Sequence, residues 1–237
     1  MHIEGSVALV TGGNRGIGRR FVEELQQRGA RKVYVGVRRP ELVEIPGVEA
    51  LPLDLTDAAS IAAIADRAPD LTLLVNNAGI STNTSLITGD LDTIRLEMET
   101  HYFGTLSVIR AFAPVLARNG GGAIVNLLSA LSWFSAEGAN PYAAAKAAEW
   151  SMTNGVRLEL AGQGTFVQGV HLGLADTDMT AGLDAPKMDP VEVARASLDA
   201  LERGDLEVLV DDWSRMIKAT LARDPAEFYG AALAAGK

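Results

Sequence analysis

An apolar stretch, Ser6–Val10, runs directly into Thr11-Gly-Gly-Asn-Arg-Gly-Ile-Gly18 and from there into RRFVEELQQRG. That last segment carries Phe21, Val22 and Leu25 on one side and Gly29 as its stop, the pattern of an amphipathic helix. A strand, a glycine-rich turn and a helix in that order open a βαβ unit, and the helix must return the chain to a second strand parallel to the first. Gly12 and Gly16 let the backbone turn tightly and approach a ligand, and Gly18 lets the helix pack closely on the sheet. The free N–H groups and positive dipole end at the start of that helix suit a pyrophosphate.

The remaining chain keeps the alternation. Lys32–Val37 (KVYVGV), ALPLDL at 50–55, Leu71–Val75, Ala123–Leu128, Thr165–Val170 and Glu207–Val210 read as strands. Between them, helices are expected at 56–68 (capped by Thr56 or Asp57), from Leu91 to about Ala117 with a kink or interruption at Pro114, at Pro141–Leu160, at Pro190–Glu202 behind Asp189, and at 212–223 before an alanine-rich tail. Such alternation implies an α/β fold: one doubly wound parallel sheet with helices on both faces. No internal repeat or linker divides residues 1–237, so one domain is expected.

Chemistry concentrates between Ile124 and Lys146. Ser129 ends an apolar strand, while Tyr142 and Lys146 sit four apart in YAAAK and so share a helix face. A phenol, a nearby ammonium and a hydroxyl delivered from a strand end can protonate and orient a carbonyl oxygen. A ketone that accepts hydride needs such a donor because negative charge develops on its oxygen. A free tyrosine titrates near 10, and a neighbouring ammonium lowers that by favouring the phenolate.

The turn TGGNRGIG, the segment NNAG at 76–79 and Ser129…Tyr142-Ala-Ala-Ala-Lys146, in this order, resemble the short-chain dehydrogenase/reductase family, and the resemblance covers nearly the whole chain. It implies a single Rossmann-type domain with a parallel sheet of about seven strands, a nicotinamide dinucleotide, and hydride transfer to or from a carbonyl carbon. It also implies a cofactor site made of Gly12, Asn14, Arg15, Gly16, Ile17 and Gly18 in the turn, Asp54 and Leu55 at the adenine, and Asn76, Ala78 and Gly79 along its ribose. Tyr142 and Lys146 lie at the nicotinamide ribose, and Gly173, Leu174 and Thr177 near the nicotinamide. Ser129, Tyr142 and Lys146 match the catalytic positions. Residues 178–190 resemble the family's substrate loop, with Trp133, Phe134 and Met179 either as walls of the site or as ordinary core.

Two features specify this member further. At the end of the second strand, where an acid would bind a ribose 2′-hydroxyl, the chain has Arg38 and Arg39; with Arg15 they favour a 2′-phosphate and hence NADP(H). His101 stands where relatives usually carry an asparagine that holds a water of the proton relay. An imidazole can do the same, although a lone helical histidine is also common in packing. After the sixth strand, Leu172-Gly173-Leu174 replaces the family's usual Pro-Gly.

Composition narrows the alternatives. The net charge of −9 argues against nucleic acid, although the first 40 residues hold eight Lys or Arg against three Glu, which suits a local anionic ligand. Absence of cysteine removes disulfides and thiolate chemistry, and three histidines without zinc-type spacing leave no metal site expected. No run reaches a membrane span and the start is not a signal peptide, so a cytoplasmic protein is expected. The reading is an NADPH-dependent reductase of a small or medium ketone or aldehyde. Secondary-alcohol oxidation and NADP sensing without turnover remain open alternatives. The resemblance further implies a homodimer or homotetramer built on the long helix and the Tyr142 helix.

Overall fold

The computed structural model describes residues 1–235, with side chains to residue 230. Seven strands form one parallel sheet: β1 (Val7–Thr11), β2 (Lys32–Val37), β3 (Glu49–Pro52), β4 (Leu73–Asn76), β5 (Ala123–Leu127), β6 (Phe166–His171) and β7 (Glu207–Leu209). Their order across the sheet is β3-β2-β1-β4-β5-β6-β7. The winding reverses between β1 and β4, and a cleft opens there beyond the carboxyl ends of the strands.

Among the described residues eight helices flank the sheet: α1 (Gly16–Gln27), α2 (Ala58–Arg67), α3 (Leu91–Met98), α4 (Thr105–Arg118), α5 (Asn140–Leu160), α6 (Pro190–Arg203), α7 (Asp212–Thr220) and α8 (Pro225–Ala235). Alternate β1 residues feed two cores. Ala8 and Val10 pack with Phe21, Val22 and Leu25 of α1 and with Ala194, Leu198 and Leu201 of α6. Val7 and Leu9 pack with Ile61 and Ile64 of α2, Val108, Ile109 and Phe112 of α4, and Met152 and Val156 of α5. A strand sends successive side chains to opposite faces, so a strand covered on both must be apolar throughout, as β1 is.

Local chemistry sets the boundaries. Asp57, Asp90, Asp189 and Asp211 accept backbone N–H groups at the starts of α2, α3, α6 and α7, replacing hydrogen bonds that a helix start cannot make internally. Two expectations are corrected. The third strand stops at Pro52 rather than running to residue 55; Leu53 still donates to Val37 O at 2.9 Å, but Asp54 then turns to accept Thr56 N. Pro114 does not interrupt the long helix. It lies inside α4, where the partner it deprives, the Arg110 carbonyl, belongs to an exposed residue that water can serve. The irregularity falls earlier, in a wide π turn over Glu99–Gly104 that joins α3 to α4. There Gly104 passes so close to Leu55 that a Cβ would lie 2.7 Å from its carbonyl oxygen. Past α7, the alanine-rich tail continues as α8 to Ala235.

Candidate active site

The glycine turn is built by close approach. Gly12 has φ +66° and Gly16 φ +52°, a backbone region costly for other residues. A Cβ on Gly18 would lie 2.4 Å from both Gly12 O and Asn77 Nδ2. Asn77 ties this turn to the NNAG segment: its Nδ2 donates to Thr11 O at 2.9 Å, while Thr11 Oγ1 accepts the N–H groups of Asn77 and Ala78 at 3.0 Å each. α1 begins at this turn with no side-chain cap and no acid in its first turn. Uncapped N–H groups beside a cradle that a Cβ would fill are the donor set an anionic phosphate needs. Asn14 is exposed beside it and Ile17 half-buried.

Arg38 and Arg39, just past β2, are exposed, and among the described residues neither makes an ion pair. Arg38 helps hold the Asp54 carboxyl below its usual range, after the larger effect of hydrogen bonds from Thr56. Arg15 is placed otherwise: its Nη1 lies 3.0 Å from Asp178 Oδ2, across the cleft in the 178–190 segment. Thr177 faces the same turn, since a Cβ on Gly16 would lie 3.3 Å from its Cγ2. Gly173 N donates to Asp211 Oδ2 at 2.7 Å, with Leu174 half-buried beside it. The segment beyond is pinned at its base, where Met188 N donates to Leu174 O and Asp176 N to Met188 O, both at 2.9 Å; residues 181–186 between are exposed.

Not every residue of the matched motifs points into the cleft. Asn76 is buried and donates to Asn126 Oδ1 at 2.8 Å, within the sheet. Ala78 and Gly79 line the turn after β4, and Gly79 is where His101 packs: a Cβ there would lie 2.4 Å from His101 Cε1.

β5 and α5 bring the reactive groups together. Ser129 follows β5 and caps a short 3-10 turn, its Oγ accepting Leu131 N at 3.1 Å. Its carbonyl meets Nδ1 of His171 at 3.0 Å. His171 is wholly buried, with Trp133 stacked on it at 3.8 Å, and burial pushes its pKa down to about 3. A neutral ring beside a carbonyl donates from Nδ1, so His171 anchors the backbone that presents Ser129. Trp133 is thereby committed to packing. Phe134 joins Trp213, Phe228 and Tyr229 in an aromatic group, while Met179 stays exposed.

On α5, Tyr142 is half-buried and Lys146 buried, with the ammonium 5.8 Å from the phenol ring centre. Lys146 Nζ donates to Leu127 O at 2.6 Å and to Glu149 Oε2 at 2.7 Å. Burial opposes the Lys146 charge, but the Glu149 carboxylate and the Tyr142 phenol outweigh it, and the pKa of Lys146 is raised. Tyr142 corrects the simpler electrostatic expectation. Lys146 does pull its pKa down, but burial pushes it up more strongly and Glu149 adds to the upward push, so the net direction is upward. His101 is buried on the π turn, its ring edge-on to Tyr142 at 5.2 Å and its Nε2 2.8 Å from Ile80 O.

Sequence reasoning missed Asn77, Glu149 and His171. Asn77 was legible as part of NNAG. Glu149 was legible only as an acid three residues after Lys146, a spacing that on most helices marks a solvated pair.

A family model described as short chain dehydrogenase matches residues 6–187. The chain is 41% identical to a short chain dehydrogenase from Burkholderia cenocepacia whose crystal structure is a complex with NADP, with a TM-score of 0.93 and 98% of each chain covered. An uncharacterized oxidoreductase of Staphylococcus epidermidis is 30% identical over 211 residues, 84% of this chain and 92% of its own length. One of Staphylococcus saprophyticus is 27% identical over 219 residues, 86% of this chain and 94% of its own.

Proposed function

Because the chain belongs to the short chain dehydrogenase family, we propose that it is an NADPH-dependent oxidoreductase that reduces a ketone or aldehyde to an alcohol. The observation that carries this is the meeting of Tyr142, buried Lys146 and strand-end Ser129 at the sheet end that also holds the glycine cradle. When bound, the nicotinamide supplies the hydride. Gly12, Asn14, Arg15, Gly16, Ile17 and Gly18 would hold its phosphates, Asp54 and Leu55 its adenine, and Ala78 and Gly79 the adjoining ribose, with Asn76 supporting them from the sheet. Lys146 and Tyr142 would hold the nicotinamide ribose, and Gly173, Leu174 and Thr177 the nicotinamide itself.

Ser129 Oγ orients the substrate carbonyl toward Tyr142, and the phenol gives its proton to the oxygen as charge develops there. A phenol whose pKa is held up stays protonated at neutral pH, the form that can give a proton to the carbonyl oxygen. Retention of both tyrosine and lysine argues for turnover rather than cofactor sensing.

NADP(H) is supported by Arg38 and Arg39, which make no ion pair among the described residues, by the missing acid after β2 and by the NADP-bound relative. Arg15 can join them by leaving Asp178: both side chains of that pair are largely exposed, so exchanging it for a phosphate costs about 1 kcal/mol or less. Residues 1–237 act as one catalytic unit, with 178–190 as substrate loop. The outer faces of α4 and α5, where Phe103 is exposed beside a groove lined by Tyr102, Leu106, Ala148 and Met152, are the surface through which copies would pair as a homodimer or homotetramer. Among the described residues no helix is long and apolar enough to cross a membrane, in keeping with a cytoplasmic enzyme.

The test is steady-state oxidation of NADPH and NADH with a panel of cyclohexanone, aryl ketones and aldehydes. Turnover with a higher specificity constant for NADPH is expected. Cofactor binding without turnover across the panel would move the assignment to a sensor, and a preference for NADH would remove the phosphate clamp.

A further inference from the structure

The buried side of α5 carries an acid where packing would favour an apolar residue. Its buried positions include Ala145, Met152 and Val156 together with Lys146 and Glu149, and Glu149 is 2% exposed. A carboxylate fixed in the interior has a desolvation cost that an apolar residue would avoid. The three-residue spacing sets Glu149 beside Lys146 on one helix face, and its Oε2 accepts from Lys146 Nζ at 2.7 Å. The same ammonium donates to Leu127 O, at the end of β5, at 2.6 Å. An ammonium has three donors, so two are committed within the protein and one is left for the cleft.

This pairing has two consequences for Tyr142. The first is geometric: Lys146 is fixed between a strand carbonyl and a carboxylate of its own helix, with Nζ 5.8 Å from the phenol ring centre. A flexible lysine side chain otherwise has many rotamers open to it. The second is electrostatic. A lone ammonium beside a phenol favours the phenolate. Here a carboxylate lies against that ammonium at hydrogen-bonding distance, so the phenol meets an ion pair rather than an isolated positive charge. Both members of the pair are buried, where salt screens little. The other groups facing Tyr142 are Glu97 on α3, His101 on the π turn and the Ser129 hydroxyl after β5. Glu97 adds to the upward push on the phenol and the Ser129 hydroxyl opposes it. Glu149 Oε2 also lies 3.9 Å from His101 Nδ1. His171 on β6 faces Lys146 and Glu149 as well, but burial keeps it neutral.

We infer that Glu149 is a positioning residue for the reaction: it holds Lys146 in a buried ion pair and offsets its charge at Tyr142, which extends proton donation to alkaline pH. The inference deepens the reading of Tyr142 as proton donor and rests on it. Glu149 acts through Lys146 and not by contact with the reacting atoms, and it exchanges no proton. Tyr142 and Lys146 titrate as a pair, so removing a negative charge beside them eases loss of the proton from either. The alkaline limit of activity therefore follows the charge at position 149 and not the length of its side chain.

The experiment compares wild type, Glu149→Gln, Glu149→Asp and Tyr142→Phe, with kcat followed against pH on the panel ketone that the wild type reduces fastest. A second measurement needs no substrate: the near-ultraviolet absorbance of tyrosinate, as the difference between wild type and Tyr142→Phe, titrates the phenol directly. Glu149→Gln keeps the size and an oxygen that accepts from Lys146, and loses the charge. Glu149→Asp keeps the charge and loses a methylene. In Glu149→Gln the alkaline limb of kcat is expected at lower pH, with KM for the ketone unchanged; in Glu149→Asp it is expected where the wild type has it. A structural role would order the variants by size instead, with Glu149→Gln like wild type and Glu149→Asp impaired. That order, or an unmoved limb in Glu149→Gln, would overturn the inference. Should Glu149→Gln fail to fold, the wild-type titration decides: ionisation of Tyr142 at or above the ordinary tyrosine value of about 10 supports the offset, and ionisation near neutrality overturns it. Full activity of Tyr142→Phe, or a wild type inert toward the whole panel, would overturn the function reading and the catalytic role of Glu149 with it, while the tyrosinate titration reports the charge offset separately.

Discussion

The two ends of the cleft are built by opposite means. At the glycine turn, backbone does the work: positive φ at Gly12 and Gly16, an uncapped helix start, and exposed arginines on the rim. Around Lys146, side chains do it: half-buried Tyr142 meets a buried, titratable group of Lys146, Glu149, His101 and Glu97. Backbone amides and exposed guanidiniums are ready for an anion without any neighbour's help. Buried titratable groups have properties only as a set, so each one's charge depends on where the others lie.

Breaking the buried end should have the largest effect. Tyr142→Phe removes the proton donor while keeping the ring against His101, and kcat is expected to fall by at least about a hundredfold, read by NADPH oxidation. At the exposed end, Arg38→Ala with Arg39→Ala should lower the NADPH-to-NADH ratio of specificity constants by about 10- to 100-fold, the worth of one or two charge-assisted hydrogen bonds; an unchanged ratio would detach these arginines from the phosphate. Gly18→Ala tests whether backbone approach is what shapes that end. The added methyl meets Gly12 O and Asn77 at 2.4 Å, so thermal unfolding should report a loss of about 1–3 kcal/mol.

His171 sharpens the contrast through pH. Its folded pKa of about 3 lies below the ordinary 6.5, so below pH 6.5 the unfolded chain binds the proton that the folded one refuses. Stability is therefore fully present above that pH and declines as pH falls toward 3, by up to about 1.4 kcal/mol per unit from this group. A His171→Gln variant should show a flatter slope in denaturant midpoints measured between pH 4 and 6.5; an identical slope would mean that His171 does not stay neutral. Asp178→Ala should do least, changing stability by less than about 1 kcal/mol because its partner Arg15 is exposed.

The same contrast explains what was legible. Strand and helix order, the aspartate caps and the glycine turn follow from local rules, so Asp189 and Gly12–Gly18 could be placed from the chain alone and the α2 cap narrowed to Thr56 or Asp57. Pro114 misled because the rule for proline is local while the remedy, a solvated Arg110 carbonyl, depends on which face of α4 meets water. Asn76 and Trp133 belong to segments recognised as site-forming, yet one side chain turns to Asn126 and the other to His171. A motif gives the backbone's place and leaves the rotamer to the neighbours.

Alone, then, the amino-acid sequence determined a seven-stranded parallel α/β fold with its glycine cradle after β1, and the presence of Ser129, Tyr142 and Lys146. Hydrophobic period, capping chemistry and the conformational freedom of glycine all act within a few residues. Tertiary structure alone decided that Glu149 and Glu97, ordinary helix acids by spacing, are buried on either side of His101, and that Tyr142 is held up rather than down. Those outcomes depend on desolvation and on charges brought together from α3, the π turn and α5, which no single segment contains.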